Sequence, residues 1–332
     1  MAPAQARFPT GETTFIPEEA SRPAPIGSGH AGSDRFKRTA PVSDKVWATA
    51  GKPPSHRDLS ALETAIRREL GTVAGDFAVA FRNLSQPEEA VFIRERESFH
   101  AASTMKTPVM MEVYQQAAAR EVSLHDSVLV KNEFRSIVDG SPFHLNVSDD
   151  SEAQLYHLIG RKRTLGALVY DMITHSSNLA TNLVIEKVDA RRVTQTMRRL
   201  GAKDTRVLRG VEDNKAYEKG LNNTTTAYDL LLLYEKLARR EVVHPRASDE
   251  MIQILLDQTD RSIIPARLPA SVKVAHKTGN ITGVHHDSGI VYLPDGKKYV
   301  LVLLSKNLRD FDQGTEALAR VSELVYRFVA GE

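Results

Sequence analysis

Strand-type patterning in this chain is confined to two stretches far apart in sequence, with helical patterning between them. Phe77-Ala-Val-Ala-Phe81 and Ala90-Val-Phe-Ile-Arg94 read as strands joined by a polar turn from Asn83 to Glu88. Val272-Lys-Val-Ala-His276, Gly289-Ile-Val-Tyr-Leu293 and Tyr299-Val-Leu-Val-Leu-Leu304 read the same way, and Pro294-Asp-Gly296 supplies the turn between the last two. Leu59, Leu62, Ala65, Ile66 and Leu70 recur at helical spacing after Asp58, with Gly71 as the stop. Most of 120 to 256 reads helical, with loops near 131 to 154 and 203 to 225, and an amphipathic helix closes the chain over about 312 to 330. This order predicts an α+β fold: one antiparallel sheet formed from both termini, flanked by helices, with an inserted all-helical domain. The expected divisions are an α/β domain from 56–100 and 260–332 and an all-helical domain over 101–259. No internal repeat is visible.

The 332 residues are 41% hydrophobic, enough for a sizeable core, and the formal net charge of +2 gives no pull toward nucleic acid or an anionic membrane. There is no cysteine, which excludes a disulfide framework and a thiolate metal site. No apolar run is long enough to span a bilayer. Residues 1–55, rich in Pro, Gly, Ser, Ala and charge, read as a disordered or extended tail, with Trp47 as a candidate anchor. The start, Met1-Ala-Pro-Ala-Gln-Ala-Arg-Phe-Pro9, lacks the apolar centre of a secretory signal.

Three short motifs carry the chemistry. Ser103-Thr-Met-Lys106 pairs a hydroxyl with an amine three positions on, one helical turn away. A serine hydroxyl needs such a base to act as a nucleophile, and would then form an acyl-enzyme with an activated carbonyl. The bland alternatives are a helix N-cap serine and a surface lysine. Ser176-Ser-Asn178 follows, a sequence that also suits a helix start. Lys277-Thr-Gly279 comes last, on an expected strand. Lys277 and Thr278 offer a charge and a hydroxyl to a carboxylate, and Gly279 permits close approach. Lys277 can also depress the pKa of Lys106.

In this order the motifs resemble the serine penicillin-recognising enzymes, most closely the class A β-lactamases, defined by Ser-x-x-Lys, Ser-Asp-Asn and Lys-Thr-Gly. The resemblance covers roughly residues 75 to 330 and implies the β-lactamase/transpeptidase-like fold, with the active site in the cleft between its two parts. It implies a small-molecule β-lactam or peptidoglycan-like substrate, no cofactor, no metal, no nucleic acid, no membrane span and a monomer. It also implies periplasmic or secreted location, but no signal is visible here, so a cytoplasmic location stays open. In this reading Ser103 is the nucleophile, Lys106 its base and Ser176 the proton relay. Asn178 holds the substrate amide, and the backbone N–H groups of Ser103 and Asn280 form the oxyanion hole. Glu212, in Arg206-Val-Leu-Arg209-Gly-Val-Glu-Asp-Asn214, is the candidate deacylation base, with a loop-bracing role equally open. It lies one position further from Arg209 than the family pattern has it, and Asn214 follows too soon. Ser177 replaces an aspartate, which removes a charge expected to brace the cleft and predicts an altered local hydrogen-bond network. His285 or His286 lies where many members carry a carboxylate-holding arginine, with Asp287 as a candidate to orient a histidine. A D,D-peptidase or esterase, a non-hydrolysing penicillin-binding sensor and an inactive relative are the rival readings.

Overall fold

The two strand-rich ends of the chain meet in one sheet. A computed structural model describes residues 58–332. The expected tail over 1–55, with Trp47, lies outside the described residues.

Helix α1 (Leu59–Leu70) starts at Asp58, whose carboxylate accepts from Ala61 N at 3.0 Å. Strands β1 (Asp76–Asn83) and β2 (Ala90–Ile93) follow, then a short β3 (Phe99–His100) and α2 (Lys106–Ala118). The middle of the chain holds β4 (Ser127–Leu129), β5 (Phe134–Arg135), β6 (Pro142–Phe143), β7 (Lys162–Thr164), α3 (Leu165–Thr174), α4 (Asn178–Val188) and α5 (Ala190–Arg199). It continues through α6 (Asn214–Glu218), β8 (Thr224–Thr225), α7 (Ala227–Ala238) and α8 (Pro245–Leu256). Strands β9 (Lys273–Ile281), β10 (Val284–Tyr292) and β11 (Lys298–Lys306), then α9 (Phe311–Ala330), complete it.

The main sheet runs β2-β1-β11-β10-β9 with every pairing antiparallel. Strand β1 pairs with β11 from Asp76↔Lys306 to Asn83↔Tyr299, so the sheet closes only when the two ends of the fold come together. Successive strand residues face opposite sides. Val79 and Phe81 therefore join the core beneath α1 and α9, with Ile66, Leu318, Val321 and Val325. Ala78 and Ala80 join the larger core shared with α2, α3, α4, α7 and α8. With both faces covered, β1 reads as an unbroken apolar run rather than an alternation. Glu235 of α7 takes both oxygens to Arg82 Nη1, at 2.9 and 3.0 Å, pinning that helix to β1.

Three details depart from the sequence expectation. The hairpin between β9 and β10 turns at Thr282-Gly283, with Gly283 at φ +71°, so His285, His286, Asp287 and Ser288 lie within a strand. Their polar side chains hide the strand pattern; burial and pairing with β9 make it. Three two-residue or three-residue ladders, β3–β8, β4–β7 and β5–β6, occupy stretches read as loop or helix, because runs so short carry no period. Ser103 sits in a 3₁₀ turn, Ala102–Met105, immediately before α2 rather than within it.

Candidate active site

The start of α2 places the first motif. Thr104 donates through N and Oγ1 to Ala101 O, at 3.1 and 2.5 Å, and Ala101 N donates to Asn223 O at 2.8 Å. Pro108 falls in the first turn of α2, where its missing N–H is not needed. Ser103 is presented on the turn while Lys106, the first residue of α2, is fully buried. Strand β9 passes directly across the turn: a Cβ on Gly279 would lie 2.8 Å from Ser103 N and 2.9 Å from Thr104 N. Glycine there is the condition for the approach.

Two lysines converge on one hydroxyl. Lys106 Nζ donates to Ser176 O at 2.6 Å and to Asn178 Oδ1 at 3.0 Å, and stands 3.2 Å from Ser176 Oγ. Lys277 Nζ stands 3.1 Å from the same Oγ and donates to Thr278 O at 2.9 Å. Ser176 occupies the tight turn between α3 and α4 at φ +58°, a conformation that costs a non-glycine residue energy and that clusters at functional sites. Burial, then the charge of Lys277, drives the Lys106 pKa well below the ordinary lysine value, against the pull of Asp150 and Glu212. Burial lowers Lys277 to about 8, opposed by Asp260 and Asp287.

Glu212 reaches this network. Its Oε1 accepts from Asn178 Nδ2 at 2.7 Å, and burial raises its pKa above the usual glutamate value. The loop that carries it is tightly held. Arg209 donates to Leu221 O and Gly210 O, each at 2.9 Å, and to Asn222 Oδ1 at 3.3 Å. Asn182 clasps Val211 through both its N–H and its carbonyl, at 2.7 and 3.0 Å. A Cβ on Gly210 would come within 2.2 Å of Asn182 Oδ1. Packing that close brings the chain to the cleft in a compact turn, so the unusual spacing from Arg209 does not keep Glu212 out of the site. Glu212 itself is at φ +61°. Asn214 opens α6 and lines the cleft, whereas the preceding Asp213 caps α6 and accepts from Ser136 Oγ at 2.8 Å and Ile137 N at 2.9 Å.

The cleft itself is lined by Ser103, Asn178, Glu212, Asn214, Asn280 and Ile281. On one side it continues past His100, Val211 and Tyr217, an apolar and aromatic wall. On the other it continues past Ser176, Thr278 and Asp260, a polar one. Of the nine residues singled out in the sequence, Ser103, Ser176, Asn178, Glu212, Thr278, Gly279 and Asn280 line this cleft, and Lys106 and Lys277 lie directly behind it.

The histidines of β10 are elsewhere. His286 is fully buried, with Nε2 2.8 Å from His100 O and Nδ1 accepting from Ser305 N at 3.1 Å, and burial lowers it to about 4. His285 faces α9, where its Nδ1 meets Thr315 Oγ1 at 2.7 Å and its ring stacks on Phe311. Neither lines the cleft, so neither replaces the arginine. Asp287 does hold a histidine, but it is His276, with Nδ1 at 2.9 Å from Oδ1. Sequence reasoning missed two carboxylates. Asp260, in the connection before β9, accepts from Ser262 N at 3.0 Å and lines the cleft together with Thr278. Asp150, from the 131 to 154 loop, packs on the start of α4. Neither has a local signal, since each acts on residues distant in sequence.

With this geometry in hand, the comparisons are specific. The model of the family described as the beta-lactamase enzyme family matches residues 61–329. A Bacteroides uniformis beta-lactamase is 28% identical over 176 residues, covering 49% of this chain and 59% of that protein. The chain thus matches under two thirds of that relative's length. The extended-spectrum beta-lactamase PER-1 of Pseudomonas aeruginosa is 23% identical over 262 residues, covering 72% and 78%. Among solved structures, a beta-lactamase from Sphaerobacter thermophilus superposes with a TM-score of 0.70 at 25% identity, over 83% of this chain and 99% of that one. A PBP-A mutant in an acyl-enzyme complex with penicillin G superposes at 0.71, also 25% identical, over 82% and 98%.

Proposed function

The chain belongs to the beta-lactamase enzyme family, and from that premise we propose that it is a class A-type serine β-lactamase that opens the β-lactam ring through an acyl-enzyme on Ser103. The observation that carries this reading is the convergence of Lys106 and Lys277 on Ser176 Oγ beside the Ser103 turn.

Ser103 Oγ attacks the lactam carbonyl, and Lys106, whose lowered pKa favours the neutral amine, takes the hydroxyl proton. The backbone N–H groups of Ser103 and Asn280 receive the developing oxyanion; losing one such donor typically costs on the order of a hundredfold or more in rate. As the tetrahedral intermediate collapses, the C–N bond breaks and the ring nitrogen takes a proton relayed through Ser176, whose hydroxyl both donates and accepts. Asn178 holds the substrate amide, and Lys277 with Thr278 holds its carboxylate. Glu212 then draws a proton from water, whose oxygen attacks the ester carbonyl; the bond to Oγ breaks and Oγ takes that proton, freeing Ser103 and restoring the Glu212 carboxylate. The bond between Glu212 and Asn178 supports that role over a purely loop-bracing one.

Intact mass spectrometry during incubation with penicillin G tests the scheme. The wild type is expected to show a transient adduct and steady loss of the drug, Ser103→Ala none, and Glu212→Gln an adduct that accumulates. Labelling that persists in Ser103→Ala would sink the nucleophile assignment, and normal turnover by Glu212→Gln would remove it as base. A stable adduct on the wild type would point instead to a penicillin-binding protein.

A further inference from the structure

Ser177 lacks the carboxylate that the second motif usually carries, yet a carboxylate is present at the same spot. Asp150 arrives from a loop 27 positions earlier and is buried against the first turn of α4. Its Oδ1 accepts from Asn178 N at 3.0 Å and from Glu152 N at 3.1 Å. Its Oδ2 accepts from Leu179 N at 2.8 Å, Tyr156 Oη at 3.1 Å and Ser177 Oγ at 3.4 Å. Two of these donors are otherwise orphan N–H groups at a helix N-terminus, where an anion is favoured. The same Asn178 whose backbone is gripped here meets Lys106 with its side-chain oxygen and Glu212 with its side-chain nitrogen.

We propose that Asp150 is the positioning residue of the second motif: its carboxylate anchors the start of α4, and through it Asn178, in place of the charge that Ser177 does not supply. This deepens, and rests on, the hydrolase reading above. Asp150 touches no reacting atom. It acts by denying Asn178 other orientations, and a misplacement of about 1 Å in such a group can cost on the order of a hundredfold in rate. Its charge also works against the depression of the Lys106 pKa, so it bears on the base as well as on the amide clamp.

The geometry makes a particular demand. Ser177 Oγ and Asp150 Oδ2 share one small volume, so one carboxylate fits there and two repel. Asparagine at 150 keeps the shape but turns an N–H₂ toward N–H donors. Ser177 is the N-cap of α4, a position that aspartate suits well. Four proteins settle the matter: wild type, Asp150→Asn, Ser177→Asp and the double variant, each followed by penicillin G acylation on intact mass and by thermal melting. Each single variant is expected to acylate at least about tenfold slower, and the double to return to within about threefold of wild type. Wild-type acylation by Asp150→Asn, a double variant as slow as the two losses multiplied, or losses wholly explained by the unfolded fraction would overturn the proposal. A wild type that neither forms an adduct nor consumes the drug would overturn the hydrolase reading instead. The bracing is then read from the melts, where the double must recover what each single loses.

Discussion

At the scale of single residues, the site works by burying charge. Lys106 is fully enclosed, and the neighbouring ammonium of Lys277 further penalises its proton. In the proposed mechanism only the neutral amine can take the serine proton, so acylation should rise with pH through a value well below that of free lysine. Replacing Lys277 with glutamine removes the repelling charge, which raises the Lys106 pKa and moves this limb to higher pH. A pH profile of the acylation rate at saturating drug checks the sign; a limb that stays in place would mean that Lys277 does not tune Lys106. Glu212 is shifted the opposite way, upward, by its own burial, so the acid limb of deacylation should sit above the ordinary glutamate value. The sequence named Lys106, Lys277 and Glu212 because their identities follow the motifs. It could not show that Asp150 completes the set, since nothing local ties that residue to a helix 28 positions on.

At the scale of elements, two glycines of the β9–β10 hairpin separate fold from function. A Cβ on Gly289 would lie 2.5 Å from both Ala275 O and His276 Cβ, between two paired strands that cannot part. Gly289→Ala should cost about 1–3 kcal/mol by overpacking and lower the melting temperature. A Cβ on Gly279 meets only the nucleophile turn, across the open edge of the sheet. Gly279→Ala should leave a folded protein with acylation reduced on the order of a hundredfold. Melting curves and acylation rates, measured on both, check the division; equal melting losses would show that the edge strand is not free to yield. Long elements were legible in the sequence: α1 and α9 carry helical periods, and β1 and β11 are unbroken apolar runs. Of β10 only the part from Gly289 on was legible; the first part was not, because His285 through Ser288 are polar side chains whose burial only the assembled sheet creates.

At the scale of the whole molecule, the site is a product of closure. The first motif lies on the turn that opens α2, the second between α3 and α4, the third on an edge strand held in place by β10 and β11. Helix α9 covers the outer face of that sheet with Leu318, Val321, Val325 and Val329, all buried. Burial of each such side chain is worth about 1.5–3 kcal/mol, and a domain's entire stability is only about 5–15 kcal/mol. A chain ending at residue 310 should therefore neither melt cooperatively nor take up penicillin G, as calorimetry and intact mass would show; a soluble, reactive truncation would mean that the cleft stands without its outer layer. The antiparallel plan was foreseeable from strands at both ends. The cleft's lining was foreseeable only in part, since Asp260 comes from a connection and His100 and Tyr217 from β3 and α6, elements too short to carry a pattern.

The pairing of β1 with β11 also sets a clock. Asp76 and Asn307, joined by a hydrogen bond, are 231 positions apart. A ribosome adding about 5–20 residues per second needs roughly ten to fifty seconds to travel between them. From residue 103 onward, for most of that interval, the nascent polypeptide holds its serine but not the completed sheet that carries Lys277 to it. A chain interrupted before β11 is therefore expected to stay inert, because β9 and its Lys277 have no completed sheet to hold them.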